Sequence, residues 1–229
     1  MQNIAVILAG GTGSRVGASM PKQFLDLDGR SVIERSVDAF DQAPGIDEVA
    51  IVVHPDWKAY LEELVNRNSW TKVRKILDGG AERYMSSLNA IAAYIDYPDD
   101  TNLILHDAAR PFVSQAVIAR VVDALLSHEA VGVGIPSTDT VWEVRQDFDP
   151  LLSKFILRIP ERSTMWRAQT PQAFRLPLIR DAYQCAMQDP QFRASDDCGV
   201  VRRYIPGTKI HIVEGEEQNR KITFKEDLL

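Results

Sequence analysis

Cysteine is scarce in this sequence. Its 229 residues hold two, Cys185 and Cys198. Neither forms a C-x-x-C pair, so nothing supports a zinc site or a thiol redox motif. Long apolar runs are missing: none approaches the ~20 residues that a membrane helix needs. The first residues show no basic segment followed by a hydrophobic core, the mark of a secretory signal. A soluble, cytoplasmic protein with no membrane partner is expected. Positive charge is also in deficit, with 26 Lys and Arg against 32 Asp and Glu. A nucleic-acid surface shows a basic patch or stripe, so no nucleic-acid partner is expected. A phosphate ligand stays open, because local cations decide that. Two common nucleotide signatures fail as well. Counting from Gly11 and Gly13, the third glycine of G-x-G-x-x-G would fall on Val16. Lys22 lies between Pro21 and Gln23, whereas a Walker A loop needs Gly-Lys-Ser/Thr.

Apolar residues make up 45% of the chain, enough for a sizeable core in a chain of this length. Apolar stretches at 4–9, 48–54, 73–77, 103–106 and 130–135 read as buried strands. Amphipathic stretches at 31–43, 57–67, 84–97 and 114–128 read as helices, with Ser31 as a cap. Strand and helix alternate, which predicts an α/β fold built on a doubly wound, mostly parallel sheet. No linker, repeat or low-complexity segment appears, so residues 1–229 are read as a single domain. After Pro136 the rhythm changes. Val141–Arg145 and Phe155–Leu157 flank a polar loop and read as a hairpin outside the main sheet, the core of a β-arm over 138–163. A two-stranded arm is marginal alone, so a homodimer is expected to cover it.

The chemistry concentrates at strand ends. Ile4 to Ala9 runs without polar alternation into Gly10, Gly11, Thr12 and Gly13, then Arg15, then Pro21-Lys22-Gln23-Phe24. Glycine lets a ligand approach the main chain, and successive N–H groups in such a turn make an anion-binding concavity. Arg15 and Lys22 complete a polyphosphate site. Gly79-Gly80 precedes a helix start that carries Arg83 and Ser86, and free N–H groups there face a ligand. His106-Asp107-Ala108-Ala109-Arg110-Pro111 follows the next strand. Asp107 suits magnesium, a hard cation that shares oxygen ligands with phosphates. Arg110 suits a second phosphate, or an ion pair with Asp107 that closes the loop. His106 reads equally as a base and as a packed residue. Asp139-Thr140 is a turn into the arm. Asp196 and Asp197 are candidate helix caps. Each motif is expected to follow a strand, where open parallel sheets place ligands.

Together these motifs resemble nucleotidyltransferases of the sugar-nucleotide pyrophosphorylase kind. Pro21-Lys22-Gln23-Phe24 narrows the resemblance to cytidylyltransferases acting on polyol phosphates. The sequence is most similar to the 2-C-methyl-D-erythritol 4-phosphate cytidylyltransferase family, with the ribitol-5-phosphate cytidylyltransferases as near relatives. The resemblance covers nearly the whole chain and implies a Rossmann-like fold, CTP and a polyol phosphate as substrates, and Mg2+. It also implies nucleotide contacts from Leu8, Ala9, Gly10, Gly11, Gly13, Gly80, Arg83 and Ser86. Arg15, Lys22 and Lys221 of the Asn219-x-Lys221-Ile-Thr motif are its catalytic cations. Arg162 is the fourth, and in the family it reaches the neighbouring subunit's site. Ala108, Arg110, Thr140, Thr170 of the Trp-x-Ala-Gln-Thr-Pro-Gln-x-Phe stretch, and Ser195 would face the substrate, and Asp107 the metal. Ser195 stands where the family has threonine. The family continues after Lys221 into a closing helix, which is expected to be absent or short here. Besides a ribitol phosphate enzyme, two alternatives stay open: a nucleotidyltransferase for another base, and a non-catalytic nucleotide-binding protein on the same fold.

Overall fold

The computed structural model describes residues 1–11, 20–144 and 154–228. Gly13 and Arg15 of the glycine turn, and residues 145–153 of the predicted arm, lie outside these.

The first apolar run is β1 (Asn3–Ala9). A small hairpin follows, β2 (Asp26–Leu27) and β3 (Arg30–Ser31), and leads into α1 (Val32–Asp41). Ser31 caps α1 as expected. Its Oγ accepts from the Glu34 N–H while a Glu34 carboxylate oxygen accepts from the Ser31 N–H at 2.9 Å, a reciprocal capping box. Then come β4 (Glu48–Val53), α2 (Lys58–Asn68), β5 (Val73–Asp78), α3 (Arg83–Ala93), β6 (Asn102–Asp107), α4 (Gln115–Ala124) and β7 (Ala130–Pro136). The arm pairs β8 (Glu143–Val144) with β9 (Ile156–Arg158). The chain continues through β10 (Trp166–Arg175), α5 (Leu176–Ala186), α6 (Asp197–Tyr204) and β11 (His211–Glu214).

Elements exist where the periodicity puts them, but α1, α3 and α4 are shorter than predicted. α3 stops because Tyr94 leaves helical geometry at φ −121° and ψ 13°. Its hydroxyl donates to Glu48 at 2.6 Å. Beyond α4, Leu126 and Ser127 donate to Asp123 and Ala124, three residues back, so the chain winds as tight turns.

Seven strands make one sheet in the order β11-β7-β10-β6-β1-β4-β5. All neighbours are parallel except β10, which runs antiparallel to both β6 and β7. Alternate side chains of a strand face opposite sides. Ala5, Ile7 and Ala9 therefore join Val49, Ile51 and Val53 beneath α1, α2 and α4. Ile4, Val6 and Leu8 join Val52, Leu103 and Leu105 beneath α3, α5 and α6. One sheet serves two cores, which is why its central strands read as unbroken apolar runs.

The Trp166–Arg175 stretch departs from expectation. It does not follow a strand; it is one, lying inside the sheet. Its buried Gln169, Thr170 and Gln172 hide the strand signal. Pro171 sits in the register shift between Gln169 and Gln172, where no ladder bond is lost. The described part of the arm differs in detail from the reading. Val141 and Trp142 precede its first strand, and the second begins at Ile156 and runs to Arg158.

Candidate active site

From β1 the chain turns through α1 and α2 to β4 and β5 on one side, then returns through α3 to β6 on the other. The strand order therefore reverses beside β1, and a crevice opens at the strands' carboxyl ends. One cavity occupies it. It is lined by Leu8 to Gly11 after β1, Lys22 and Gln23, residues 80–83 and Ser86, Asp107 to Ala109 after β6, and Lys221.

Backbone meets backbone at the cavity wall. A Cβ at Gly79 would come within 2.9 Å of the Gly10 Cα, and one at Gly10 within 2.6 Å of Ser86 Oγ. The two loops close on each other only because both residues are glycine. Ser86, buried at the first turn of α3, accepts the Gly80 N–H on its hydroxyl at 3.2 Å. It shapes the loop that it was expected to complement.

Asp107 ends β6 and is the charged centre of the site. Arg83 Nε donates to one carboxylate oxygen at 2.9 Å, and Lys221 Nζ to the other at 2.7 Å. Burial alone would raise this carboxyl; the Arg83 and Lys221 cations outweigh it and hold it well below the usual carboxylate range. Arg83 also donates from Nη1 at 2.7 Å to Asp197, which is fully buried and accepts the Tyr183 hydroxyl at 2.6 Å. Asp197 was read as a helix cap. The cap is Asp196 alone, through the Gly199 N–H, and Asp197 instead braces Arg83. Arg83 Nη2 is buried without a hydrogen-bond partner.

Lys221 belongs to neither helix nor strand, yet it is held from both sides. Buried Asn219 donates to the Thr170 carbonyl at 2.9 Å, and the Ile222 N–H to the Ala109 carbonyl at 2.8 Å. Lys22 reaches the same segment, with Nζ 2.7 Å from the Ile222 carbonyl. Arg110 does not pair with Asp107. It donates to the carbonyls of Asn219 and Ala168, tying the Lys221 segment to β10. The ion pair expected as the alternative goes to Arg83 and Lys221.

His106 lies fully buried behind Asp107. The Asp107 N–H donates to Thr170 Oγ1, whose hydroxyl lies 3.1 Å from His106 Nδ1, and His106 Nε2 lies 3.1 Å from the Arg110 carbonyl. This chain of bonds assigns the proton to Nε2 and leaves Nδ1 an acceptor. Burial lowers the imidazole to about 4, so it is neutral and fully engaged, a packed residue rather than a base.

The cavity thus gathers Leu8, Ala9, Gly10, Gly11, Lys22, Gly80, Arg83, Ser86, Asp107, Ala108 and Lys221. Thr170 stands behind Asp107 and outside the lining. Thr140, Arg162 and Ser195 are exposed and line no part of it in a single chain. Gln23 lines it and was not singled out beforehand. The signal was its place directly after Lys22.

Among the described lining residues, three cations face two carboxylates, at the carboxyl ends of a mostly parallel sheet. By fold and site this is an α/β nucleotidyltransferase. Known proteins narrow that class. The pattern of the IspD family, 2-C-methyl-D-erythritol 4-phosphate cytidylyltransferase, matches residues 3–229. The enzyme of that name from Thermobifida fusca is 47% identical over 98% of this chain and 89% of its own. A crystal structure of 4-diphosphocytidyl-2C-methyl-D-erythritol synthase from Anaerococcus prevotii superposes with a TM-score of 0.85 at 26% identity, covering 99% of this chain and 92% of that one. The bifunctional ribulose 5-phosphate reductase/CDP-ribitol pyrophosphorylase Bcs1 of Haemophilus influenzae is 37% identical over 99% of this chain and 47% of its own. The chain belongs to the 2-C-methyl-D-erythritol 4-phosphate cytidylyltransferase family. It is a CTP-dependent cytidylyltransferase that joins CTP to 2-C-methyl-D-erythritol 4-phosphate in isoprenoid precursor synthesis.

Proposed function

We propose that CTP lies along the glycine turn and that the acceptor phosphate meets it beside Lys221. The observation that carries this is the Arg83–Asp107–Lys221 cluster facing Lys22 across the Gly10-Gly11 turn. An acceptor phosphate oxygen attacks the α-phosphorus of CTP in line. The new P–O bond forms as the bond to the β-phosphate oxygen breaks, and pyrophosphate leaves. A phosphate monoester is already largely dianionic at neutral pH, so no protein base is required, in keeping with a neutral, engaged His106. Catalysis then rests on placing two polyanions together and stabilising the developing charge. Lys22 and Arg15 hold the triphosphate. Arg83, held by Asp107 and Asp197, lines the nucleotide side of the cavity. Lys221 and Arg162 of the partner subunit orient the acceptor, while Ala108, Arg110, Thr140, Thr170 and Ser195 complete its pocket.

Asp107 fits a divalent cation. Each of its oxygens has accepted one bond and keeps a lone pair, and Mg2+ favours one or two carboxylates plus substrate phosphates. No group of three or more His, Cys, Asp or Glu among the described residues is placed to cage a metal, which suits an ion shared with the nucleotide. Bound there, Mg2+ would neutralise phosphate charge.

The homodimer belongs to the same reading. Trp142, Phe155, Leu157, Ile159 and Trp166 are between 43% and 67% exposed on and beside the arm, and clustered exposed apolar side chains mark interaction sites. A partner covering it would bring Arg162 to a neighbouring site. Among the described residues no helix is long and apolar enough to cross a membrane, and the scarcity of cysteine suits a reducing, cytoplasmic setting.

The test is pyrophosphate release with CTP and Mg2+, using methylerythritol 4-phosphate and ribitol 5-phosphate in parallel. Strong preference for the first is expected. Preference for the second would move the chain to the chemistry of its Haemophilus relative, and silence with both would overturn the site assignment. Lys22→Ala is expected to cost on the order of 100-fold in kcat, the usual loss on removing an electrostatic stabiliser.

A further inference from the structure

Gln23 is nearly fully buried, 3% exposed, in the short 3-10 turn Lys22–Phe24. Its side-chain amide donates at 2.7 Å to the Ala9 carbonyl and at 2.9 Å to the Gly11 carbonyl. A primary amide has two N–H donors, and two carbonyls take them. The turn holding Gln23 is itself anchored. Phe24 is buried, stacks on Trp57 at 5.1 Å and meets Tyr60 edge-on at 5.2 Å. The Phe24 N–H donates to the Pro21 carbonyl. A fixed arm therefore grips the last residue of β1 and the second glycine of the turn, from the position next to Lys22.

The chemistry of that grip is specific. A turn that receives a polyphosphate must present N–H groups and keep its carbonyl oxygens away, because those oxygens repel an anion. We infer that Gln23 is a positioning residue for the nucleotide: it takes up the Ala9 and Gly11 carbonyls, holds the strand end and the first two glycines with those oxygens occupied, and sets Lys22 in register with them. The inference rests on the reading that the turn holds CTP. It also explains the residue type. Glutamate would set a carboxylate against two carbonyl oxygens at the mouth of an anion site. Methionine has the length but no donor.

The experiment uses Gln23→Met and Gln23→Glu in the full chain, with CTP affinity from calorimetry and KM for both substrates. Both variants are expected to weaken CTP binding about tenfold, the size of losing two hydrogen bonds, with the acceptor KM unchanged. Activity relative to the parent enzyme is then compared from about pH 8 to about pH 5.5. A carboxyl pressed against carbonyls protonates early and regains one donor. Gln23→Glu should recover on acidification and Gln23→Met should not. Equal loss for both substrates, or one pH profile shared by the two variants, would overturn the inference. A parent enzyme that binds no CTP would sink the functional reading, whereas normal CTP binding by parent and variants alike would sink this inference alone.

Discussion

Asp107 shows how much one residue's meaning depends on residues far along the chain. The sequence marks Arg83, Asp107 and Lys221 separately, because each sits in a short motif. Their pairing was not legible: Lys221 lies 114 positions from Asp107, and nothing local records that distance. Asp197 was misread for the same reason. Beside Asp196 at a helix start it looks like a cap, and only the fold brings Arg83 and Tyr183 to it. His106 yields a pH prediction. Its folded-state value, about 4, lies below the ordinary histidine value because burial disfavours the charged ring. The unfolded chain then binds the proton more readily, so this group's contribution is full above about pH 6.5 and is lost as pH falls towards 4. Urea titrations at pH 7 and pH 5 should show the loss, and His106→Asn, less stable at both, should show a shallower fall. Glu34 behaves likewise at lower pH. Burial raises it, but bonds from Ser31, Arg67 and Asn68 bring it to about 2. Its contribution is complete above about pH 4.5 and disappears between there and pH 2, a step that Glu34→Gln should remove from an acid titration.

At the scale of elements, strands buried on both faces announced themselves and the strand between β6 and β7 did not. β1, β4, β6 and β7 are apolar because cores press on both sides. β10 carries Gln169 and Gln172, whose polar atoms are satisfied by distant partners. Gln169 donates to the Glu216 carbonyl, and Gln172 donates to Asp196 and accepts from the Cys198 N–H. Such partners are invisible in sequence, so the polar run reads as loop. The arm gives the prediction at this scale. If Arg162 serves the partner's site, a dimer of one Arg162→Ala chain and one Lys22→Ala chain holds one intact site and one doubly damaged one. Co-expressed equal mixtures should regain about a quarter of parental activity, since half the dimers are mixed and each has one working site. No regain over the separate variants would place Arg162 in its own subunit's site or in none.

For the whole molecule, the shared sheet matters most. Both cores rest on the same seven strands, so neither persists alone. Thermal unfolding should be a single transition by circular dichroism and by tryptophan fluorescence. Its midpoint should rise with protein concentration if the apolar arm is buried between two chains. Two transitions would contradict the shared-sheet description, and a concentration-independent midpoint would contradict the dimer.

The bond from Lys22 to the Ile222 carbonyl joins residues 200 positions apart. Synthesis runs in one direction, so the glycine turn leaves the ribosome long before the segment that steadies Lys22 and supplies Lys221. β1 through β6 are synthesised while Lys221 and Ile222 are still to come. The Lys22–Ile222 and Lys221–Asp107 bonds form only when this last segment is free to dock. A chain interrupted before residue 221 therefore carries the glycine turn without the lysine that pairs with Asp107.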